Sequence, residues 1–380
     1  MEAQMIKVMT LFGTRPEAIK MAPLVKALEA EPKIESIVVV TAQHRQMLDQ
    51  VLELFDIRPN HDLNIMKAGQ TLSEITSRVL LGVEEVLKYE KPDIVLVHGD
   101  TSTTFTGGLA AFYQQIPVGH VEAGLRSGNV YSPYPEEMNR VLTSRIAEIH
   151  FAATEGNVNN LIHEGVKSEA IVKTGNTVID ALMSVINANY TFEDNRLNKI
   201  DFSSKKVILL TAHRRENLGE PMENIFGAVR RIVEAYEDVE LIFPVHMNPA
   251  IRMIADKHLA QHPRIHMIEP LEYEAFANLQ SRCYLIMTDS GGIQEEAPAL
   301  GKPVVVLRSE TERPEAVEAG TVVIAGVNED KIYETTSKLI SDAAAYQKMA
   351  EATNPYGDGH ASERIVAAIL KWHEKNKIIN

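Results

Sequence analysis

The chain has 380 residues, 45% hydrophobic and 24% charged, enough for two domains with sizeable cores. A formal net charge of −14 argues against a general binder of nucleic acid or anionic membrane, while leaving room for a local basic pocket that takes a small anion. The single cysteine, Cys283, excludes an intramolecular disulfide, and its place at the head of an apolar run reads as a core thiol in a reducing compartment.

The opening residues lead almost directly into a strand without a secretory signal pattern. No apolar run approaches the roughly 20 residues a membrane helix needs, so the expected compartment is the cytoplasm. Ile6 to Phe12 is the first predicted strand, and a helix to about Ala30 follows Gly13-Thr14-Arg15-Pro16-Glu17. Thr14 and Glu17 have capping-box spacing. Arg15 therefore sits at a strand-to-helix turn with Lys20 one turn later, two cations suited to an anion or to plain solvated surface. Ile37 to Val40 is a second strand, ending in Thr41-Ala42-Gln43-His44. Helices are predicted over Arg45–Phe55 and Thr71–Tyr89. The strand Asp93–Val97 ends in His98-Gly99-Asp100-Thr101, and Val118–Val121 ends in Glu122-Ala123-Gly124-Leu125-Arg126. A loop rich in Tyr and Pro carries Glu136 and Glu137 into another helix, and Ile149–Ala152 and Ala170–Lys173 read as further strands.

Residues 187–206 are polar and aperiodic and read as an interdomain linker between domains at 1–186 and 207–360. The alternation then restarts. Val207–Leu210 ends in Thr211-Ala212-His213-Arg214, and Leu241–Val245 ends in His246. The apolar run Tyr284–Met287 enters Thr288-Asp289-Ser290-Gly291-Gly292, where a helix is expected to run until Pro298 and Gly301 end it. A final helix within 361–380 is expected to pack back on the first domain. Repeated β-α alternation predicts an α/β protein of two Rossmann-like, doubly wound domains with a cleft between them.

In such sheets ligands bind beyond the carboxyl ends of strands. The polar residues there divide by charge. The first domain offers Asp100, Glu122 and Glu136; the second offers His213, Arg214 and the Ser290-Gly291-Gly292 turn. That turn has a good N-cap, two glycines that admit a close ligand, and the free N–H groups of a helix start, which suit a nucleotide diphosphate. Glu295 or Glu296, one turn in, suits sugar hydroxyls. Plainer roles stand beside these. Asp100 could cap a helix, Glu122 could pair with Arg126, and His213 could be structural. Neither G-x-x-x-x-G-K-[ST] nor G-x-S-x-G is present, and no G-x-G-x-x-G follows the first strand, which disfavours P-loop, serine-hydrolase and standard NAD chemistry. His258, His262 and His266 are spaced by four, but Pro263 breaks the helix that would align them on a metal.

The ordered blocks GTRPEAIKMAPLV, TAQHRQMLDQV, HGDTSTT, PVGHVEAGLRSG, YSPYPEEMNR, TAHRREN, FPVHMNP, TDSGGIQEEAPALGKP and NPYGDGHAS span nearly the whole chain. Together they resemble the bacterial non-hydrolysing UDP-N-acetylglucosamine 2-epimerases. The resemblance implies a GT-B glycosyltransferase-like fold and interconversion of UDP-N-acetylglucosamine and UDP-N-acetylmannosamine. The route it implies is elimination of UDP to a 2-acetamidoglucal intermediate and re-addition, with no metal or redox cofactor. Asp100, Glu122 and Glu136 are then acid/base candidates, and His213 contacts the UDP leaving group. Arg15 and Ser290-Gly291-Gly292 hold the diphosphate, Glu296 the ribose and Phe276 the uracil, with Lys20 and Arg313 in the polar wall. Gln43, Gln70, Arg214 and His246 are the positions implied for a second, activating UDP-N-acetylglucosamine. A homodimer is the expected assembly. The rivals are a glycosyltransferase of the same fold, which needs an acceptor, a hydrolysing epimerase, and an inactive nucleotide-sugar sensor.

Overall fold

Ile6–Phe12, IKVMTLF, is buried at six of its seven positions, the near-continuous apolar run of a strand covered on both faces. The computed structural model describes residues 5–42, 45–67 and 69–379, and its strands repeat this pattern. The chain divides into two compact units, 1–184 with 356–380, and 185–355.

The first unit runs β1 (Ile6–Phe12), α1 (Arg15–Ala30), β2 (Ile34–Val40), α2 (Arg45–Leu54), β3 (His61–Asp62), α3 (Leu72–Glu90), β4 (Ile94–His98) and α4 (Ser102–Tyr113). It continues through β5 (Val118–Ala123), α5 (Glu136–Ile146), β6 (Ile149–Ala152), α6 (Glu155–His163), β7 (Ile171–Lys173) and α7 (Thr177–Val185). The strands form one parallel sheet, ordered β3-β2-β1-β4-β5-β6-β7. The order reverses between β1 and β4, where the loops after both strands open side by side. Gly13 lies in the first of these loops. A Cβ there would come within 1.9 Å of Thr41 Oγ1, so only glycine fits.

The second unit runs β8 (Lys206–Thr211), α8 (Glu220–Ala235), β9 (Val239–Pro244), α9 (Pro249–Leu259), β10 (Ile265–Ile268), α10 (Tyr273–Arg282) and β11 (Leu285–Thr288). It ends with α11 (Gly291–Ala299), β12 (Val304–Val306), α12 (Pro314–Glu318), β13 (Val322–Ile324), α13 (Glu329–Ser341) and α14 (Ala343–Ala350). Its parallel sheet has the order β10-β9-β8-β11-β12-β13 and reverses between β8 and β11. The fold is thus the pair of doubly wound α/β units predicted from the alternation.

Residues 187–206 lie along the second unit. Phe192 and Leu197 are buried, and Arg282 Nη2 donates to the carbonyls of Ala188 (3.2 Å) and Tyr190 (2.7 Å). The last helix, α15 (Ala361–Ile379), buries Ile365, Val366 and Ile369 in the first unit's core beside α1. Asp180 of α7 fixes its start, accepting from the amides of Ala361 (3.1 Å) and Ser362 (2.7 Å). Pro298 lies inside the last turn of α11 rather than stopping it; Gly301, in the left-handed region at φ 65°, follows the end. Cys283 is fully buried, and burial pushes its thiol up to about 12. Among the described residues no helix is long and apolar enough to cross a membrane, and no cluster of His, Cys, Asp and Glu could hold a metal ion.

Candidate active site

Each sheet's reversal point is bound by one buried carboxylate. In the first unit it is Glu17. It accepts from the amides of Gly13 (3.0 Å) and Thr14 (2.8 Å) after β1, and from the hydroxyls of Thr101 (2.6 Å) and Thr104 (3.1 Å) after β4. The capping-box spacing points to the first pair of contacts only; the bridge to the β4 loop depends on topology. Arg15 opens α1 at this junction, half-buried.

Three acidic candidates ring the same edge in different states. Glu122 stands at φ 60° on a bulge of β5, a backbone region that costs a non-glycine residue about 1–3 kcal/mol. Its carboxylate pairs with Lys20, accepts from Asn176 Nδ2 (2.9 Å) and lies 3.6 Å from His98 Nε2. Burial alone would raise its pKa, but Lys20 and His98 more than offset that and hold it well below the ordinary value. The alternative pairing with Arg126 does not occur. Arg126 is bidentate to Glu164 (2.6 and 2.8 Å), the residue that follows α6.

Asp100 is not the cap of α4; Thr101 is, accepting from the Thr104 amide. The Asp100 carboxylate instead takes Arg140 Nε (2.9 Å) and Nη2 (2.8 Å). Arg140 also donates through Nη1 to Glu137 (2.8 Å), whose oxygens accept from the Ser127 and Gly128 amides (both 3.0 Å). Burial raises the Glu137 pKa, and these amides with Arg140 bring it below the usual range. Glu136, the first residue of α5, is half-buried, and its side chain makes no hydrogen bond or ion pair among the described residues. Of the two adjacent glutamates one is tied into structure and the other is available. His120, beneath this edge, is pushed down to about 3 by burial. Its neutral ring must donate from Nε2 to the Gly99 carbonyl (2.7 Å), which steadies the turn into Asp100.

In the second unit the bridging carboxylate is Asp289, which is fully buried. It accepts from the amides of His213 and Arg214 (both 2.8 Å) and from Asn217 Nδ2 (3.2 Å), and its Oδ1 lies 3.2 Å from His213 Nδ1. Burial raises its pKa, and His213 with the Arg214 amide bring it below its ordinary value. The loop after β8 is thereby bound to the turn after β11. His213 is exposed and stacks on His246 (centroids 5.7 Å, 15°). Burial, then the His213 charge, lowers the His246 pKa. Arg214 Nε donates to the Asp289 carbonyl (3.3 Å).

Ser290 is the N-cap residue of α11, but its side chain makes no cap hydrogen bond. Gly291 and Gly292 follow with ordinary φ; a Cβ on Gly292 would meet nothing within 4 Å, and one on Gly291 only Arg313 at 3.8 Å. The protein's own packing does not demand glycine here, whereas a ligand lying on the helix start would. Arg313, the N-cap of α12, pairs with Glu295, which is buried. Glu295 is thus part of the wall, while the half-buried Glu296 accepts from Gln280 Nε2 (3.1 Å). Phe276 lies half-buried on α10. Gln70 binds the Lys67 amide and Arg78 Nη1 (3.5 Å) in the loop before α3; Gln43 lies outside the described residues.

The family profile described as UDP-N-acetylglucosamine 2-epimerase matches residues 26–370. The chain belongs to the UDP-N-acetylglucosamine 2-epimerase family. It is 59% identical over 365 residues to the UDP-N-acetylglucosamine 2-epimerase of Bacillus subtilis (strain 168), covering 96% of this chain and 95% of that protein. The S. aureus MnaA–UDP co-structure superposes with a TM-score of 0.87 at 56% identity over 97% of each chain. The UDP-GlcNAc 2-epimerase from Neisseria meningitidis, bound to UDP-GlcNAc, gives 0.85 at 51% identity, over 96% of this chain and all of that one. The family is one of isomerases. Within this epimerase-family chain, Glu17, Glu137, Arg140, Asn176 and Asp289 carry no predicted site role. Local spacing points to Glu17 with Thr14 and to Glu137 with Arg140, but the bridges from Glu17 to Thr101, from Arg140 to Asp100, from Asn176 to Glu122 and from Asp289 to His213 join distant parts of the chain.

Proposed function

We propose that this chain interconverts UDP-N-acetylglucosamine and UDP-N-acetylmannosamine without hydrolysis, by eliminating UDP across carbons 1 and 2 and adding it back. The single observation that carries the reading is the second unit's reversal point. There an open glycine turn at a helix start meets His213, which Asp289 holds in register, in a family whose relatives are solved with UDP and UDP-GlcNAc.

The carbon-2 proton is too weakly acidic for direct removal to dominate, so departure of UDP must accompany it. In the second unit Ser290, Gly291 and Gly292 offer N–H donors to the diphosphate as its charge develops, and Arg313 and His213 add positive charge or a proton. Glu296 takes the ribose hydroxyls and Phe276 the uracil face. Inversion requires proton transfer on both faces of carbon 2, hence more than one acid/base group or one that repositions, and three carboxyl groups suit that need. Glu122, held ionised beside Lys20, enters as a proton acceptor. Asp100 is oriented by Arg140, and the Glu136 side chain has no partner to displace among the described residues.

The His213–His246 stack also suits activation by a second UDP-N-acetylglucosamine. Of the positions implied for it, Arg214 and His246 adjoin the leaving-group side through the stacked rings and the Arg214–Asp289 contacts. The product fits supply of N-acetylmannosamine for cell-surface polysaccharide from the cytoplasm. Exposed Leu81, Tyr89, Phe112 and Tyr113 on the adjoining α3 and α4 suit a homodimer contact.

Positional isotope exchange tests the elimination step. With 18O in the bridge between carbon 1 and the β-phosphorus, the label should scramble into non-bridging positions of recovered substrate. Epimerisation with the label fixed in the bridge would contradict it.

A further inference from the structure

At the edge of the second sheet opposite the glycine turn, a recess of about 350 Å³ gathers positive charge in a chain of net charge −14. Lys205 and Lys206 lie at the entry to β8, Arg282 ends α10, and Lys302 comes just before β12. Asp238 is the one acidic residue lining it, and it neutralises Lys206 (3.0 Å).

Among the described residues none of the other three cations forms a carboxylate ion pair, although the Lys205 charge also acts on Asp238. Lys205 Nζ donates to the Glu237 carbonyl (3.4 Å), and Arg282 to the two carbonyls described above. Lys302 Nζ makes no hydrogen bond or ion pair among the described residues, although it is half-buried. Burial lowers its pKa. A desolvated ammonium without an acceptor is costly, and an oxyanion beside it removes that cost. Asp201 is already saturated by the amides and hydroxyls of Ser203 and Ser204. The stacked rings of Tyr284 and Tyr346 (4.2 Å, 21°) form a stiff wall, fixed by the Tyr346 hydroxyl on the Tyr284 carbonyl (2.8 Å).

We propose that this recess is a second ligand site, for a phosphoryl group, free or carried by a small metabolite, that sits against Lys302, Lys205 and Arg282. Lysines act on phosphate as point charges and tolerate its rotation. The volume lies at the low end for ligand pockets, enough for a phosphate and a compact body. The site is separate from the glycine turn. β11, four residues long, spans about 13 Å between the two edges.

The test is the acetylation rate of each lysine in the full-length protein, read by mass spectrometry at fixed ionic strength. Probes are inorganic phosphate, glycerol 3-phosphate and succinate. A saturating phosphoryl ligand should slow Lys302 acetylation at least about fivefold, the occupancy expected at four times Kd, while exposed Lys33 is unchanged. Arg282→Met should abolish that protection. Protection by glycerol 3-phosphate alone identifies a phosphate ester, and equal protection by inorganic phosphate identifies the free ion; either supports the site. No protection of Lys302, or the same protection by succinate, overturns it. Because the readout is Lys302 itself, anions bound at the glycine turn do not register.

Discussion

Asp289 holds His213 by two routes: the His213 amide donates to its Oδ2 at 2.8 Å, and His213 Nδ1 lies 3.2 Å from its Oδ1. Seventy-six residues separate the two in sequence. One buried carboxylate thus sets both the backbone and the ring of the residue proposed to serve the leaving group, while its own backbone leads into the glycine turn.

Asp289→Asn should therefore lower both activity and stability. Losing the charged acceptor of two amides should cost about 2 kcal/mol in urea unfolding at pH 7. The pKa of Asp289 is lowered in the fold, so its stabilising effect is complete above the unfolded value near 3.9 and drains as pH falls through the lower folded value. The gap between wild type and variant should be constant from pH 7 to about pH 5 and shrink only in stronger acid. A gap that narrows near neutral pH would assign the effect to another group.

Lys20→Met leaves Glu122 in its pocket with His98 and Asn176 but without its lysine partner. Stability should fall by about 3 kcal/mol, the low end for broken buried pairs because both side chains keep some exposure. Glu122→Gln in the Lys20→Met background should recover part of that loss. Strict additivity in a double-mutant cycle would show that the pair is not coupled.

The neighbours Glu136 and Glu137 should behave oppositely. Glu136→Gln should change unfolding free energy by less than about 1 kcal/mol, a first-turn charge effect, yet lower kcat by roughly 10²- to 10⁴-fold. Glu137→Gln loosens the Ser127–Gly128 amides and Arg140, so its Tm should drop as well. Equal Tm losses would remove the distinction.

Cys283 should be inert. Its thiol is fully buried and pushed up to about 12, so iodoacetamide at pH 8 should label it only after denaturant is added. Cys283→Ala should keep wild-type kcat.

Much of the fold was legible because both sheets are parallel and buried on both faces, so their strands appear as short apolar runs. The two-residue β3, His61–Asp62, has no such run, and α14 lacks an apolar stripe, with no residue buried. The candidate carboxylates were legible because topology places strand-end residues at one edge. Their states were not. That Glu122 meets Lys20, Asp100 meets Arg140 and Arg126 turns away to Glu164 depends on which strands and helices become neighbours. Glu17 and Asp289 looked like a cap and a turn residue, since their second partners arrive from across each sheet's reversal point.

The most direct test is proton NMR of UDP-N-acetylglucosamine incubated with the protein in deuterated water. The account predicts UDP-N-acetylmannosamine, with deuterium at carbon 2 of the sugar and no accumulation of free N-acetylmannosamine. It also predicts loss of both signals in Asp100→Asn, Glu122→Gln and Glu136→Gln. Bound substrate that neither epimerises nor exchanges its carbon-2 proton, or release of UDP with free sugar, would contradict it.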